Sequence, residues 1–220
     1  MTITEFEQRV LEQKPVASDH YDKEYWTGDW RAHGNNYHLE TRRKIEDRNP
    51  HLIKEVFQPR KALDLGCGPG ALMHLLWEIG VDVEGIDYAD SSLRQATPEM
   101  RDRITIGEVG DPTLKSEGAY DLVICREVLE HLTVLQVKRA VANMVRLTAR
   151  FMYVTTRFHP SPANLLDFNT KDDLDPSHIT LLNKDMLRLM FVLEGCRSRP
   201  DLEARMDWGG KGRVLVLEKV

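Results

Sequence analysis

The sequence of 220 residues is poor in several things, and each shortage narrows its chemistry. It has only three cysteines, Cys67, Cys125 and Cys196, and their spacing matches no metal motif. A reducing, cytoplasmic setting is therefore expected. No apolar run approaches the roughly 20 residues that span a bilayer. The opening residues, MTITEFEQRV, lack the basic and then apolar regions of a secretory leader, so none is expected. Positive charge is not in excess. The formal net charge is −5, which speaks against a nucleic-acid partner. There is no internal repeat and no low-complexity tract. Against these shortages stand 41% apolar and 30% charged residues, enough for a core and a solvated surface. The length fits one domain with a small addition. Nothing in these patterns fixes an oligomeric state.

What is present centres on residues 61–70, KALDLGCGPG. Ala62, Leu63 and Leu65 predict a short strand that runs into the turn Gly66-Cys67-Gly68-Pro69-Gly70. A helix over 71–79 follows. Glycines let the backbone turn tightly and approach a ligand without Cβ atoms in the way. The helix N-terminus offers N–H groups to whatever lies in the turn. Together they make a nucleotide-cofactor cradle. Gly66-x-Gly68-x-x-Ala71 also satisfies the relaxed dinucleotide pattern, so the glycines alone leave NAD open. Asp64 stands where dinucleotide enzymes carry an apolar or small residue. Asp87 ends a second strand, 81–86, about 20 residues past the turn. A carboxylate there accepts hydrogen bonds from ribose hydroxyls. Tyr88 can pack near an adenine.

The flanks divide as 1–58, a helical and aromatic cover, and 59–220, the core. A short polar helix ends near Pro15. Tyr21, Tyr25, Trp26, Trp30 and Tyr37 then lie among Gly28, Gly34, Asn35 and Asn36, as in a flap or a fixed cover. A helical stretch over 38–57 is broken at Asn49-Pro50. Residues 120–125 hold the continuous apolar run 122–124 of a strand buried on both faces. A helix over 134–147, a strand over 151–155 and a long polar loop over 161–177 come next. Asn183 caps a helix that Gly195 ends. Segments near 196–202 and 212–218 read as a final antiparallel pair. Arg126, Arg157 and His159 stand at strand ends, where a cation can hold phosphate or carboxylate.

The run from Asp64 to Gly70 resembles motif I of the class I S-adenosylmethionine (SAM) methyltransferases. The resemblance continues through Asp87 and YDLVICREVLEHL (120–132) and covers about 61–156. It implies a single-domain, Rossmann-like α/β fold. That fold has a mostly parallel seven-stranded sheet, an antiparallel C-terminal strand and helices on both faces. It implies SAM as cofactor, held by Asp64, Gly66, Cys67, Gly68, Gly70, Asp87, Tyr88 and Arg126. An arginine of the preceding helix pairs with the methionine carboxylate in such enzymes. Arg42 and Arg43 match, and Arg43 is the one assigned. An acidic residue after the third strand meets the adenine amino group. Glu108 and Asp111 both match and the choice stays open, with Glu108 taken as the site residue.

Glu127-x-x-Glu130-His131 carries the remaining chemistry. If helical, all three side chains point to one side. Two carboxylates and an imidazole can bind a hard or borderline divalent ion. A similar E-x-x-E-H occurs in ubiquinone-biosynthesis O-methyltransferases and in small-RNA terminal 2′-O-methyltransferases. That resemblance implies Mg²⁺ or another divalent metal near a pair of adjacent hydroxyls. A later histidine often completes the set. His178 of Asp175-Pro176-Ser177-His178 is the better match and His159 the second choice. The expected catalytic residues are His131, Glu130 and His178, and the expected metal ligands Glu127, Glu130, His131 and His178. The expected reaction is O-methylation of a small molecule, a sugar or catechol-like diol. A metal-free N-methyltransferase, an NAD-linked oxidoreductase and a non-catalytic SAM-binding protein stay open.

Overall fold

The structure, a computed structural model, describes residues 2–28, 36–46, 48–161, 163–168 and 175–220. Trp30, Gly34 and Asn35 of the aromatic block lie outside the described residues, as does part of the 161–177 loop. Helices α1 (Ile3–Glu12), α2 (Lys23–Thr27), α3 (Leu39–Ile45) and α4 (Asn49–Phe57) precede the first strand. Thr2 and Glu5 close a capping box on α1, and Pro50 starts the first turn of α4, where its missing N–H costs nothing. Then come β1 (Lys61–Leu65), α5 (Ala71–Glu78), β2 (Asp82–Asp87), α6 (Asp90–Gln95), α7 (Pro98–Arg101) and β3 (Ile104–Ile106). The second half holds β4 (Tyr120–Arg126), α8 (Val134–Leu147), β5 (Thr148–Thr155), β6 (Leu166–Asp167), β7 (Leu181–Leu182), α9 (Lys184–Leu193), β8 (Cys196–Ser198), α10 (Pro200–Met206) and β9 (Val214–Lys219).

Seven strands form one sheet in the order β3-β2-β1-β4-β5-β9-β8. The pairs from β3 to β5 are parallel, and β9 runs antiparallel to both β5 and β8. The mostly parallel sheet with an antiparallel C-terminal strand is as expected. Alternation along β4 explains its unbroken apolar run. Val123 packs with Val137, Val141 and Phe191 from α8 and α9. Leu122 and Ile124 pack with Ile53, Met73 and Leu202 from α4, α5 and α10. Strand β9 repeats the pattern, with Leu215 and Leu217 on one face and Val214 and Val216 on the other. Helix α10 is the main departure from the sequence reading. The third-from-last segment is a strand only to Ser198, because Pro200 then seeds a helix that buries Leu202 and Met206.

β1 and β4, the central pair, end side by side at Leu65 and Cys125. The glycine turn and the segment after Arg126 therefore open onto one crevice, at the point where the strand order reverses. Among the described residues no helix is long and apolar enough to cross a membrane.

Candidate active site

The turn between β1 and α5 is held open by its glycines. Gly66 and Gly68 have φ of 71° and 54°, the left-handed region that favours glycine. A Cβ on Gly66 would meet Val128 Cγ2 at 2.3 Å, and one on Gly68 would meet the Trp26 ring at 3.1 Å. Gly68 N–H donates to Asp87 Oδ2 at 2.7 Å and Ala89 N–H to Asp87 Oδ1 at 3.0 Å. The two ends of the cradle are thus tied together through one carboxylate. Burial pushes the Asp87 carboxyl up to about 6 and the Asp64 carboxyl up to about 7.

The cavity above this turn is lined by Asp64, Gly66, Cys67, Gly68, Asp87, Tyr88, Glu108, Arg126, Glu127 and His131. Gly70 shapes the turn from outside the lining, as the left-handed residue before α5. Glu108 faces the cavity, whereas Asp111 caps its own turn by accepting from Thr113 N–H at 2.8 Å. The aromatic segment is a wall of the cavity. Tyr21, Tyr25, Trp26 and Tyr37 line it, and Trp26 Nε1–H donates to Ser91 Oγ at 2.7 Å.

Arg43 corrects the sequence reading. It lies outside the cavity and forks onto Glu78 with contacts of 2.6 and 2.8 Å, because α3 turns it toward α5. Arg42, one residue earlier, lines the cavity with its guanidinium 4.2 Å from the Tyr37 ring centre. Glu46 lies between Arg42 and Arg126 and bonds to both. Burial alone would push the Glu46 carboxyl up, but Arg126 and Arg42 outweigh it and hold it below the ordinary range. The sequence signal was the i, i+4 spacing of Arg42 and Glu46.

The acidic segment is the second correction. Residues 127–131 are not one helical face. Glu127 takes φ 53°, and only Leu129–His131 form a 3₁₀ turn. One ligand-type atom each of Glu130, His131 and His178 lies within 4.8 Å of the others, and Glu127 is outside that group. Glu127 is half exposed and 3.7 Å from Arg213. His178 reaches the site because Ile179 and Thr180 N–H both donate to Glu130 C=O, at 2.8 and 3.1 Å. Gln13 braces this junction, donating to Ile179 C=O and accepting from Val134 N–H. His159, the second choice, instead bonds around Ser161. Glu130 is buried and accepts from Thr156 Oγ1 at 2.8 Å, and among the described residues its buried Oε1 finds no hydrogen-bond partner. Burial first, and then Glu127, push its carboxyl up to about 8. A buried orphan carboxylate oxygen beside two imidazoles fits a divalent cation.

A family model described as "Methyltransferase domain" matches residues 62–150. Over those residues the chain is similar to methyltransferase domains. The ubiquinone biosynthesis O-methyltransferase of Bordetella avium (strain 197N) is 36% identical over 109 residues, which cover 47% of this chain and 45% of that enzyme. The chain thus spans less than half the length of this relative. A SAM-dependent methyltransferase from Archaeoglobus fulgidus matches the fold with a TM-score of 0.62 at 15% identity, over 81% of this chain and 94% of the other. The magnesium protoporphyrin IX methyltransferase of Synechocystis PCC 6803, with SAM bound, matches at 0.56 and 17% identity, over 99% and 92%. The methyltransferase match sets the NAD reading aside.

Two expectations follow for the methyltransferase cradle. If Asp87 accepts from ribose hydroxyls, they favour its charged form. Affinity for S-adenosylhomocysteine should fall as the pH drops below about 6, approaching tenfold per unit. Calorimetry across pH reads this, and a flat profile would remove Asp87 from the ribose. Arg42→Ala should weaken the same binding by roughly 1.5–3 kcal/mol, and Arg43→Ala should leave it unchanged. The reverse ranking would restore Arg43.

Proposed function

We propose that this protein transfers the SAM methyl group to a hydroxyl oxygen of a small molecule carrying adjacent hydroxyls. The observation that carries the reading is the gathering of Glu130, His131 and His178 beside the cofactor turn. Asp87 holds the ribose, Glu108 and Tyr88 border the adenine, and Arg42 holds the methionine carboxylate. Arg126 keeps Glu46 charged and adds positive potential at that end. The wall of Tyr21, Tyr25, Trp26 and Tyr37 suits a small acceptor and keeps water from the sulfonium. Glu130, His131 and His178 would hold a divalent cation, which when bound would supply Lewis acidity to lower the acceptor pKa. The chain's own part is to align the acceptor oxygen with the methyl carbon for in-line attack. A second, metal-free reading makes His131 the general base. It is favoured by the 2.8 Å contact of His131 Nδ1 with Ser177 Oγ, which orients the ring.

The test is methyl transfer from labelled SAM to a panel of catechols, sugar diols and amines, with Mg²⁺ or Mn²⁺ and after chelation. Turnover of diols that chelation removes supports the metal-assisted reading. Chelation-resistant turnover of diols supports the His131 reading. Turnover of amines alone would overturn both.

A further inference from the structure

One hydroxyl joins two partners behind the site. Ser177 Oγ lies 2.8 Å from His131 Nδ1 and 2.5 Å from Asp175 Oδ1. A serine hydroxyl has one proton and two lone pairs. Two oxygens 2.5 Å apart need a proton between them, and a carboxylate only accepts. Asp175 accepts through both oxygens. Its Oδ1 also takes the Ser177 backbone N–H at 3.0 Å, and its Oδ2 faces the Tyr25 hydroxyl at 3.4 Å. The Ser177 proton therefore lies on the Asp175 contact. Toward His131 the hydroxyl offers only lone pairs, so His131 donates. His131 then carries its proton on Nδ1 and its lone pair on Nε2.

We propose that Ser177 and Asp175 are positioning residues that fix His131 as the Nδ1–H tautomer. The proposal rests on the reading of His131 as a residue of the reacting site. The Nε2 lone pair is what that site needs, whether it takes a proton or holds a cation. When it takes a proton, the acceptor O–H bond breaks toward Nε2 while the oxygen bonds to the methyl carbon. The C–S bond breaks with its electron pair on sulfur, leaving a neutral thioether. The imidazolium keeps its Nδ1–H on Ser177, whose own proton points at the Asp175 carboxylate. Neither positioning residue changes protonation. The arrangement is rigid because residues 175–180 are docked on the His131 turn through Glu130 C=O. Tyr25, through Asp175, and Tyr21, edge-on to the His131 ring with centroids 5.8 Å apart, bring the N-terminal cover against the same group.

The test uses the full-length chain labelled with ¹⁵N-histidine, in chelator at about pH 8, where imidazole is neutral. Long-range ¹H–¹⁵N correlation reads which ring nitrogen carries the proton. Wild type should show His131 protonated on Nδ1. Ser177→Ala should mix the tautomers and lower kcat about tenfold or more, with acceptor KM and S-adenosylhomocysteine affinity unchanged. Ser177→Thr keeps a hydroxyl and should restore both readouts. Asp175→Ala removes the acceptor that holds the Ser177 proton, which frees that hydroxyl to donate toward His131 and should mix the tautomers. An Nε2–H wild type, or a tautomer unchanged in both Ser177→Ala and Asp175→Ala, would overturn the proposal. The spectrum needs no turnover. Absence of methyl transfer would count against the proposed function and leave the tautomer result standing.

Discussion

Glu130→Gln is expected to lower kcat at least about 100-fold and to leave S-adenosylhomocysteine affinity within about threefold of wild type. The substitution keeps shape and an acceptor oxygen for Thr156, and removes the anionic oxygen that a cation needs. The same residue sets a proton count. Burial and Glu127 push its carboxyl up, which favours the protonated form in the metal-free site. Binding of Mn²⁺ should then release protons, read by calorimetry in two buffers of different ionisation enthalpy. The sign for stability follows from the same shift. A raised carboxyl costs the fold increasingly as pH climbs from the ordinary carboxylate range to about 8. Glu130→Gln removes that cost, so its unfolding temperature at pH 8 should equal or exceed that of wild type. Near-normal turnover in the variant would remove Glu130 from the reacting site.

Gly66→Ala is expected to destabilise the fold by roughly 2–5 kcal/mol, from left-handed strain and overpacking together. Position 66 has φ 71°, and the added methyl would lie 2.3 Å from Val128 Cγ2. Pairing it with Val128→Ala should recover the packing share and leave the strain. Urea unfolding of the single and double variants separates the two. The folded fraction of Gly66→Ala should also bind S-adenosylhomocysteine at least about tenfold more weakly, because the turn must open to admit the methyl. Wild-type stability in the single variant would mean that neither strain nor contact is as described.

Local pattern made much of this fold legible. A continuous apolar run marked β4 as buried on both faces, and the glycine turn with Asp64 and Asp87 marked the cradle. These signals are local, so one sequence carries them. The misreadings came where tertiary contact decides. Arg42 and Arg43 are equivalent by propensity, and only the placement of α3 against α5 sends Arg43 to Glu78. Glu127 was expected on a helical face. Its N–H instead donates to Thr155 C=O at 2.8 Å, which continues the sheet and forces the left-handed turn. Ser177 was legible only as part of a His178 motif. Its contact with His131 depends on docking across 46 residues.

Calorimetric titration of S-adenosylhomocysteine into the wild-type chain and the Asp87→Ala variant, with Mg²⁺ and again after chelation, tests the methyltransferase reading most directly. Micromolar binding in both solutions, weakened by roughly 1–3 kcal/mol in the variant, is expected. No binding in either solution, alongside binding of NADH, would contradict it.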